Sequence, residues 1–313
     1  MKMNKEEQTF LTLFKEFKQK AEPLLAKLAE LRKSTVFPLL FHLQASISPW
    51  CVSKVYDAIR KLSEKERENV DVIIFSSGGD ADTAYHIGRM LHRSTKGELT
   101  FIVPRLAVSA AALLTFSGNK ILMFSPSELG PIDPQIEVSP RRYVSARSLK
   151  EVVELIMDKI VKAERIPKST VEAFLEKLPL LEVVDYERLL KHVEKLAIDL
   201  LKLRMISDEQ VAKNVAEAFT RRFEYHGKSI TVDECMELDL KVEELAGEVL
   251  DVVWEFSKLW EELAIIRAKF GSDIVVMEIG KGLAFIPSEM EEESRAEGES
   301  SIDTLLGKLI KSM

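Results

Sequence analysis

Two short stretches in the first half of the chain carry the residue types that acyl-transfer chemistry requires. One is the Ser-Ser-Gly-Gly sequence at residues 76–79, and the other is the small-residue segment that begins at Ser109. Paired glycines can expose main-chain N–H groups to an anion. A serine at a helix start is a candidate nucleophile with the positive end of that helix beneath it. The combination predicts acyl-transfer chemistry, with peptide hydrolysis as the expected reaction.

Both stretches lie in a segment, from residue 35 to about residue 136, that alternates between two patterns. Apolar, β-rich runs occur at 36–43, 70–75, 99–103 and 120–124, with helix-like stretches between them at 49–62, 81–93 and 109–117. This alternation is typical of βαβ units, whose parallel strands are buried on both faces. Ligands bind at the carboxyl ends of such strands. We therefore expect main-chain N–H groups of Gly78 or Gly79 and of Ala110 to hold an oxyanion there.

The motifs around these two turns resemble the Clp-protease/crotonase superfold. Within it, they are most similar to the family called serine dehydrogenase proteinases, which are relatives of signal peptide peptidase A. The resemblance covers about residues 31–136 and is carried by VDVIIFSSGGDADTAYHIGRML, VPRLAVSAAALL and LGPIDPQI. A weaker similarity lies at 225–240, YHGKSITVDECMELDL. The resemblance implies an α/β fold, a Clp-protease/crotonase-like spiral of stacked βαβ units, here with an added helical segment.

The resemblance also assigns roles to individual positions. It places the family's serine on Ser109 and its glycine pair on Gly78 and Gly79. This sequence has Ser-Ser-Gly-Gly where relatives often have Thr-Pro-Gly-Gly, and alanines replace glycines after the serine. Both departures keep the main-chain chemistry available. Despite the family name, the chain has no G-x-G-x-x-G fingerprint, so nothing points to a nicotinamide cofactor.

The general base that a serine nucleophile needs is left open by the sequence. Clp proteases carry a histidine on the next strand, but the matching place here holds Asp133, a weak base unless its environment changes it. Asp133 could equally be a turn residue. Relatives of signal peptide peptidase A use a Ser–Lys pair, which makes Lys150 the nearest candidate, with an exposed helix charge as the alternative. Further candidates are Lys159, Lys162, Lys191, Lys195, His86 and His226.

The composition limits the partners of the protein. A net charge of −7 argues against nucleic acid, and no run approaches the roughly 20 apolar residues of a membrane-spanning helix. The charged N-terminus lacks the apolar region of a signal peptide, so we expect a cytoplasmic location. Neither Cys51 nor Cys235 belongs to a C-x-x-C pair, and no histidine pair has metal-ligand spacing. We expect no cofactor and no metal.

The chain divides into five predicted segments. They are an N-terminal amphipathic helix (1–34), an α/β core (35–147), a helical addition (148–222), a C-terminal part of the core with a long helix (223–287), and an acidic linker with a short helix (288–313). The N-terminal helix either packs on its own domain or contacts another subunit. Because members of the superfold usually assemble into rings or stacks, we expect a homo-oligomer.

The leading hypothesis is a serine peptidase-like hydrolase that cleaves a peptide or protein substrate through Ser109. One alternative is a catalytically inactive scaffold or partner-binding protein of the same fold. Another is a crotonase-like acyl-thioester enzyme, which would use the paired N–H groups without a serine nucleophile. Covalent labelling of the serine distinguishes the first hypothesis from the other two.

Overall fold

Five parallel strands form the main sheet of the protein. The computed structural model describes residues 5–42, 45–139, 142–145, 180–223 and 227–268, and also 151, 153–155, 158 and 162. The strands are β1 (Thr35–Leu40), β2 (Val70–Phe75), β3 (Leu99–Ile102), β5 (Lys120–Met123) and β9 (Val242–Glu244). They pair in the order β1–β2–β3–β5–β9, with Thr35 opposite Val70 and Val70 opposite Leu99. The predicted parallel α/β sheet is confirmed.

Four further strands lie outside the main sheet in the described part of the chain. They are β4 (Leu106–Ala107), β6 (Glu128–Leu129), β7 (Gln135–Ser139) and β8 (Arg142–Ser145). β4 and β6 pair in parallel, and β7 and β8 form an antiparallel hairpin. An isolated parallel bridge joins Ser76 to Ala107, so β4 lies beside the residue that follows β2.

The helices cover both faces of the main sheet. They are α1 (Lys5–Arg32), α2 (Trp50–Arg60), α3 (Ala81–Ser94), α4 (Ala110–Thr115), α5 (Leu180–Arg204), α6 (Glu209–Glu217), α7 (Val232–Glu237) and α8 (Gly247–Ala268). A π-helical turn at Ala218–Arg222 follows α6 directly. Alternate residues of the strands supply the two cores. For example, Val72 and Ile74 join the cluster that contains α3, α4 and α5, whereas Ile73 and Phe75 join α1 and α8.

The N-terminal helix α1 uses its apolar stripe within the chain. Phe17 is buried, and its ring centroid lies 5.8 Å from that of Trp260 and 6.2 Å from that of Phe256, both in α8. Phe14 and Leu28 belong to the same cluster. The prediction that this helix packs on its own domain is therefore confirmed, and its apolar periodicity needs no second subunit to explain it.

Near the C-terminus, the structure corrects one boundary of the sequence-based interpretation. The amphipathic pattern of residues 242–270 predicts one long helix, but residues 242–244 form β9 beside β5. The backbone explains this, since Ile121 N–H donates to the carbonyl of Lys241 and Leu245 N–H donates to that of Met123. The helix α8 begins only at Gly247. Residues 273–286, whose sequence predicts a hairpin or an edge strand, and the acidic segment at 288–313 lie outside the described residues.

Candidate active site

Ser109 lies in a sharp turn between β4 and α4. Its backbone angles are φ 54° and ψ −125°, a conformation that costs a non-glycine residue on the order of 1–3 kcal/mol. Strained strand-to-helix turns of this kind present nucleophilic serines in hydrolases. Within the described residues the Ser109 side chain makes no capping hydrogen bond to α4, and the residue is only half-buried. A capping role therefore does not account for Ser109, and the residue is partly accessible to solvent.

The glycine pair lies directly against this turn. Gly78 and Gly79 have φ values of 107° and 143°, which residues with side chains rarely adopt. A Cβ atom on Gly78 would lie 2.7 Å from Ser109 Cβ and 2.8 Å from the carbonyl oxygen of Val108. The two turns expected to converge from their positions in the sequence are thus in van der Waals contact.

A loop on the opposite side holds the glycine pair in place. Ile47 N–H donates to the carbonyl of Gly78 over 2.8 Å, and Asp80 N–H donates to the carbonyl of Ile47 over 2.7 Å. A Cβ atom on Gly79 would lie 2.3 Å from the Ile47 oxygen. The main chain therefore passes too close to Gly79 for any side chain there.

The three N–H groups proposed as oxyanion donors differ in whether they already have a hydrogen-bond acceptor. The N–H of Gly78 donates to the buried Oγ of Ser76 over 3.0 Å, so Gly78 supplies space rather than a donor. Among the described residues, the N–H groups of Gly79 and Ala110 meet no hydrogen-bond acceptor. Ala110 is the first residue of α4, where the helix leaves its amides without partners. Of the alternatives left open by the sequence, the structure favours Gly79 and Ala110.

A cavity of about 560 Å³ opens in front of these groups. Its lining comprises Ser46, Ser77, Gly78, Gly79, Asp80, Ala81, Asp82, Ser109, Ala110, Leu113, Ile132, Asp133, Pro134, Leu189 and Val193. Leu189 and Val193 belong to α5, so the helical addition forms one wall of the cavity. The sequence predicted this helical region but gave no sign that it reaches the site.

Asp133 lies in the wall of the cavity and is only 4% exposed. The residue before it, Ile132, donates its N–H to the carbonyl of Phe219 over 2.9 Å. Phe219 lies in the π-helical turn that follows α6. This turn therefore holds the segment that brings Asp133 to the cavity. Four predicted site residues (Gly78, Gly79, Ser109 and Ala110) thus share one cavity with Asp133.

A family model matches most of the chain. The family model described as ClpP-like SDH-type serine proteinase matches residues 15–270. The chain belongs to this family. The match covers every described helix and strand except the first ten residues of α1, and the Clp-protease-like fold expected from the motifs is confirmed.

Two relatives of this serine proteinase family member come from Methanocaldococcus jannaschii. Uncharacterized protein MJ0137 is 27% identical over 246 residues, which are 75% of this chain and 77% of that protein. Uncharacterized protein MJ1495 is 29% identical over 174 residues, which are 55% of this chain and 51% of that protein. The chain therefore spans about half the length of the second relative.

Solved structures with a similar fold include two mutants of the 1510-N membrane-bound stomatin-specific protease. A serine-to-alanine mutant has a TM-score of 0.44 and 13% sequence identity, covering 69% of this chain and 81% of that one. A lysine-to-alanine mutant in complex with a substrate peptide has a TM-score of 0.41 and 13% identity, covering 69% and 77%.

The structure describes some of the candidate bases for Ser109 and not others. Lys150, the favoured lysine, lies outside the described residues, as does Lys159. Lys162 and Lys191 are exposed and form ion pairs with Asp158 and Glu187. Lys162, Lys191 and Lys195 do not belong to the cavity lining.

The histidines in the described part of the chain do not line the cavity either. His86 is exposed on α3, and His226 lies outside the described residues. Elsewhere, His42 Nε2 lies 2.9 Å from the carbonyl oxygen of Ala264, and His92 Nδ1 accepts from Arg204 Nε over 2.9 Å. Burial and the nearby guanidinium of Arg204 lower the pKa of His92. The structure thus gives no support to a triad role for His86.

His192, which the sequence did not single out for catalysis, contacts a residue of the cavity lining. His192 on α5 contacts the carboxylate of Asp82, with its Nε2 atom 2.8 Å from Oδ1. Both side chains are about half exposed or more, so the contact contributes at most about 1 kcal/mol. It joins α5 to α3 at the rim. No spacing in the sequence could have identified a pair separated by more than one hundred positions.

The described residues lack both a membrane-spanning helix and a metal-binding cluster. None of their helices has the length and apolar character needed to cross a membrane. They also contain no group of three or more histidine, cysteine or acidic side chains arranged to hold a metal ion. Cys51 and Cys235 are free and buried, and burial raises the pKa of Cys51 and raises that of Cys235 to about 12.

Proposed function

We propose that this member of the ClpP-like SDH-type serine proteinases cleaves peptide bonds through a covalent acyl-enzyme on Ser109. The observation that carries the proposal is the strained Ser109 turn packed against the Gly78–Gly79 pair at the edge of an open cavity. A strained backbone at a half-exposed serine is costly to maintain. A merely structural turn would gain nothing from it.

In the proposed reaction, Ser109 Oγ attacks the carbonyl carbon of the scissile peptide bond. The carbonyl oxygen gains negative charge and accepts hydrogen bonds from the N–H groups of Gly79 and Ala110. Collapse of this intermediate breaks the C–N bond, releases the amine product and leaves an ester on Ser109, which water then hydrolyses. Each donor to the oxyanion is expected to contribute on the order of 10²–10³ in rate.

The proton of the Ser109 hydroxyl must be transferred to a base and then to the leaving amine. We propose Lys150 or Asp133 for this role. Asp133 is supported by its burial in the cavity wall, and Lys150 is supported by the resemblance to enzymes with a Ser–Lys pair. Removal of the true base is expected to lower kcat by roughly 10²–10⁴.

The pH dependence of the reaction separates the two bases. A base must be unprotonated to accept the proton, so the rate rises with pH through its pKa. Carboxyl groups ordinarily titrate near pH 4 and lysine amines above about pH 10, or nearer neutrality when buried. A rising limb at neutral to alkaline pH that is lost in Lys150→Ala, with Asp133→Asn retaining it, identifies the lysine. A rising limb at acidic pH that is lost in Asp133→Asn, with Lys150→Ala retaining it, identifies the carboxylate.

Reaction with a fluorophosphonate probe tests the nucleophile. We expect one label per chain on Ser109, detected by peptide mass spectrometry and absent from Ser109→Ala. Ser46→Ala is the matched control, because Ser46 lines the same cavity without the strained turn, and it is expected to label normally. A folded wild-type protein that takes no label between pH 6 and pH 10 would refute the proposal and favour an inactive scaffold. Cleavage of a peptide library by the wild type, and not by Ser109→Ala, then establishes the substrate class.

We also propose that the protein works in the cytoplasm and that it forms a homo-oligomer, the latter as the superfold resemblance suggested. Sedimentation velocity at micromolar concentration tests the assembly. A single species with the mass of one chain would contradict it.

A further inference from the structure

Ser76 has three hydrogen bonds that no catalytic role for Ser109 by itself requires. The residue follows β2 and is completely buried. Its N–H donates to the carbonyl of Leu106 over 3.1 Å, and its carbonyl accepts from Val108 N–H over 3.2 Å. These two bonds attach the end of β2 to the two residues that flank Ala107, immediately before Ser109. The backbone of Ser76 therefore fixes the position of the segment that carries the nucleophile.

The third bond attaches Ser76 to the glycine pair. Its Oγ accepts from the N–H of Gly78 over 3.0 Å, in a buried environment. Serine hydroxyls commonly accept from the amide two residues ahead and so fix a turn. Here the bond engages the Gly78 amide inside the protein, while the next amide, that of Gly79, lies at the cavity. The Ser76 side chain thus engages the N–H of Gly78 and, within the described part of the chain, leaves the N–H of Gly79 free for a ligand.

We infer that Ser76 is the positioning residue of the oxyanion hole. Through its backbone it holds Leu106 and Val108, which lead directly into Ser109. Through its hydroxyl it holds the Gly78–Gly79 turn, and it thus sets the distance between the N–H groups of Gly79 and Ala110. It touches no substrate. The inference rests on the proposed function, since the spacing of two donors matters only when an oxyanion forms between them.

Loss of the hydroxyl has a consequence that follows from the geometry. In Ser76→Ala the Gly78 N–H remains buried without an acceptor, which the turn can relieve by rotating the peptide unit. Glycines permit that rotation at little cost. The 78–79 turn then shifts against the Ile47 N–H that still holds the Gly78 carbonyl, and the displaced Gly79 amide becomes a poorer donor to the transition state. We expect kcat to fall about 10²-fold with KM little changed, because the ground-state carbonyl uses these donors far less.

The chain offers a chemically matched control. Ser127 is also buried, and its Oγ also accepts from a main-chain N–H, that of Phe124, over 3.0 Å. In addition, its hydroxyl donates to the carbonyl of Val103 over 2.6 Å. It does not line the cavity. Ser127→Ala should therefore lower the melting temperature at least as much as Ser76→Ala does, while leaving kcat within about twofold of wild type. Ser76→Thr keeps the hydroxyl and is expected to restore most of kcat.

The experiment measures kcat, KM and the rate of fluorophosphonate labelling for wild type, Ser76→Ala, Ser76→Thr and Ser127→Ala. A selective loss of kcat in Ser76→Ala, rescued by threonine, supports the inference. Equal kcat in Ser76→Ala and Ser127→Ala overturns it, even though wild-type labelling would still support Ser109. An unlabelled wild type overturns the proposed function instead.

A second readout does not need activity. Hydrogen exchange followed by NMR should show a slow Gly78 amide and a fast Gly79 amide in the wild type. In Ser76→Ala the Gly78 amide is expected to exchange at least about tenfold faster, since its buried bond is gone. Equal exchange at the two glycines in the wild type, or unchanged exchange of Gly78 in Ser76→Ala, contradicts the inference.

Discussion

Replacing Gly78 by alanine perturbs the contact on which the candidate site depends. The new Cβ atom would lie 2.7 Å from Ser109 Cβ, whereas ordinary contacts begin at 3.4 Å, so the two turns must separate by about 0.7 Å. The φ of 107° adds backbone strain, because L-residues with side chains rarely adopt it. The substitution therefore displaces the nucleophile from the oxyanion donors without removing any catalytic group.

The magnitude follows from this displacement. A misplacement approaching 1 Å costs on the order of 10²-fold in rate, so we expect the labelling rate of Ser109 and kcat to fall about 10- to 100-fold. Overpacking and strain together should lower the free energy of unfolding by about 2–5 kcal/mol. Labelling kinetics with a fluorophosphonate measure the first effect, and urea denaturation followed by circular dichroism measures the second.

Gly247→Ala is the matched control for the backbone. Gly247 also has a positive φ, 59°, but a Cβ atom there would meet nothing within 4 Å. It should lower the free energy of unfolding by about 1–2 kcal/mol and leave the labelling rate unchanged. If folded Gly78→Ala labels as fast as the wild type, or if Gly247→Ala loses activity to the same extent, the contact does not control reactivity.

Three other predictions concern the scaffold. Arg204 donates to the carbonyls of His92, Thr95 and Gly97 at the end of α3. Arg204→Met should therefore lower the free energy of unfolding, measured by urea titration, by about 2–4 kcal/mol. A change below about 0.5 kcal/mol would contradict this prediction. Because the folded state lowers the pKa of His92, the neutral form stabilises the protein above about pH 6.5, and this contribution is lost as pH falls. The drop in unfolding free energy from pH 7.5 to 5.5 should thus be smaller in His92→Gln, and an equal drop would refute the assignment. Burial raises the pKa values of both thiols, that of Cys235 to about 12, so both should resist disulfide-exchange reagents until urea unfolds the chain; rapid native reaction would be inconsistent with the packing.

The main sheet could be predicted because its strands are buried on both faces. The run at 70–75 coincides with β2, since every residue of β2 is buried and therefore apolar or tightly paired. Its single charged residue, Asp71, is bound by Arg32 Nε over 2.8 Å. The short strands β4 and β6 were missed, because two residues are too few for any periodicity to develop.

The positions of the candidate site residues were predictable, but their individual states were not. Local sequence identified Gly78, Gly79 and Ser109 because glycine pairs and helix-start serines follow strands. It could not show which amide is engaged internally, since that depends on the rotamer of Ser76 and the fold of the loop at Ile47. The wall contributed by Leu189 and Val193 depends on the packing of α5, a long-range contact that no local pattern records.

The central claim is that Ser109, Gly79 and Ala110 act on one carbonyl group. A crystal structure of the protein with a peptide boronic acid or peptide aldehyde tests it most directly. We predict a covalent bond to Ser109 Oγ and an adduct oxygen about 2.7–3.1 Å from both N–H nitrogens. An adduct on another residue, or an oxygen directed away from both amides, would contradict the account.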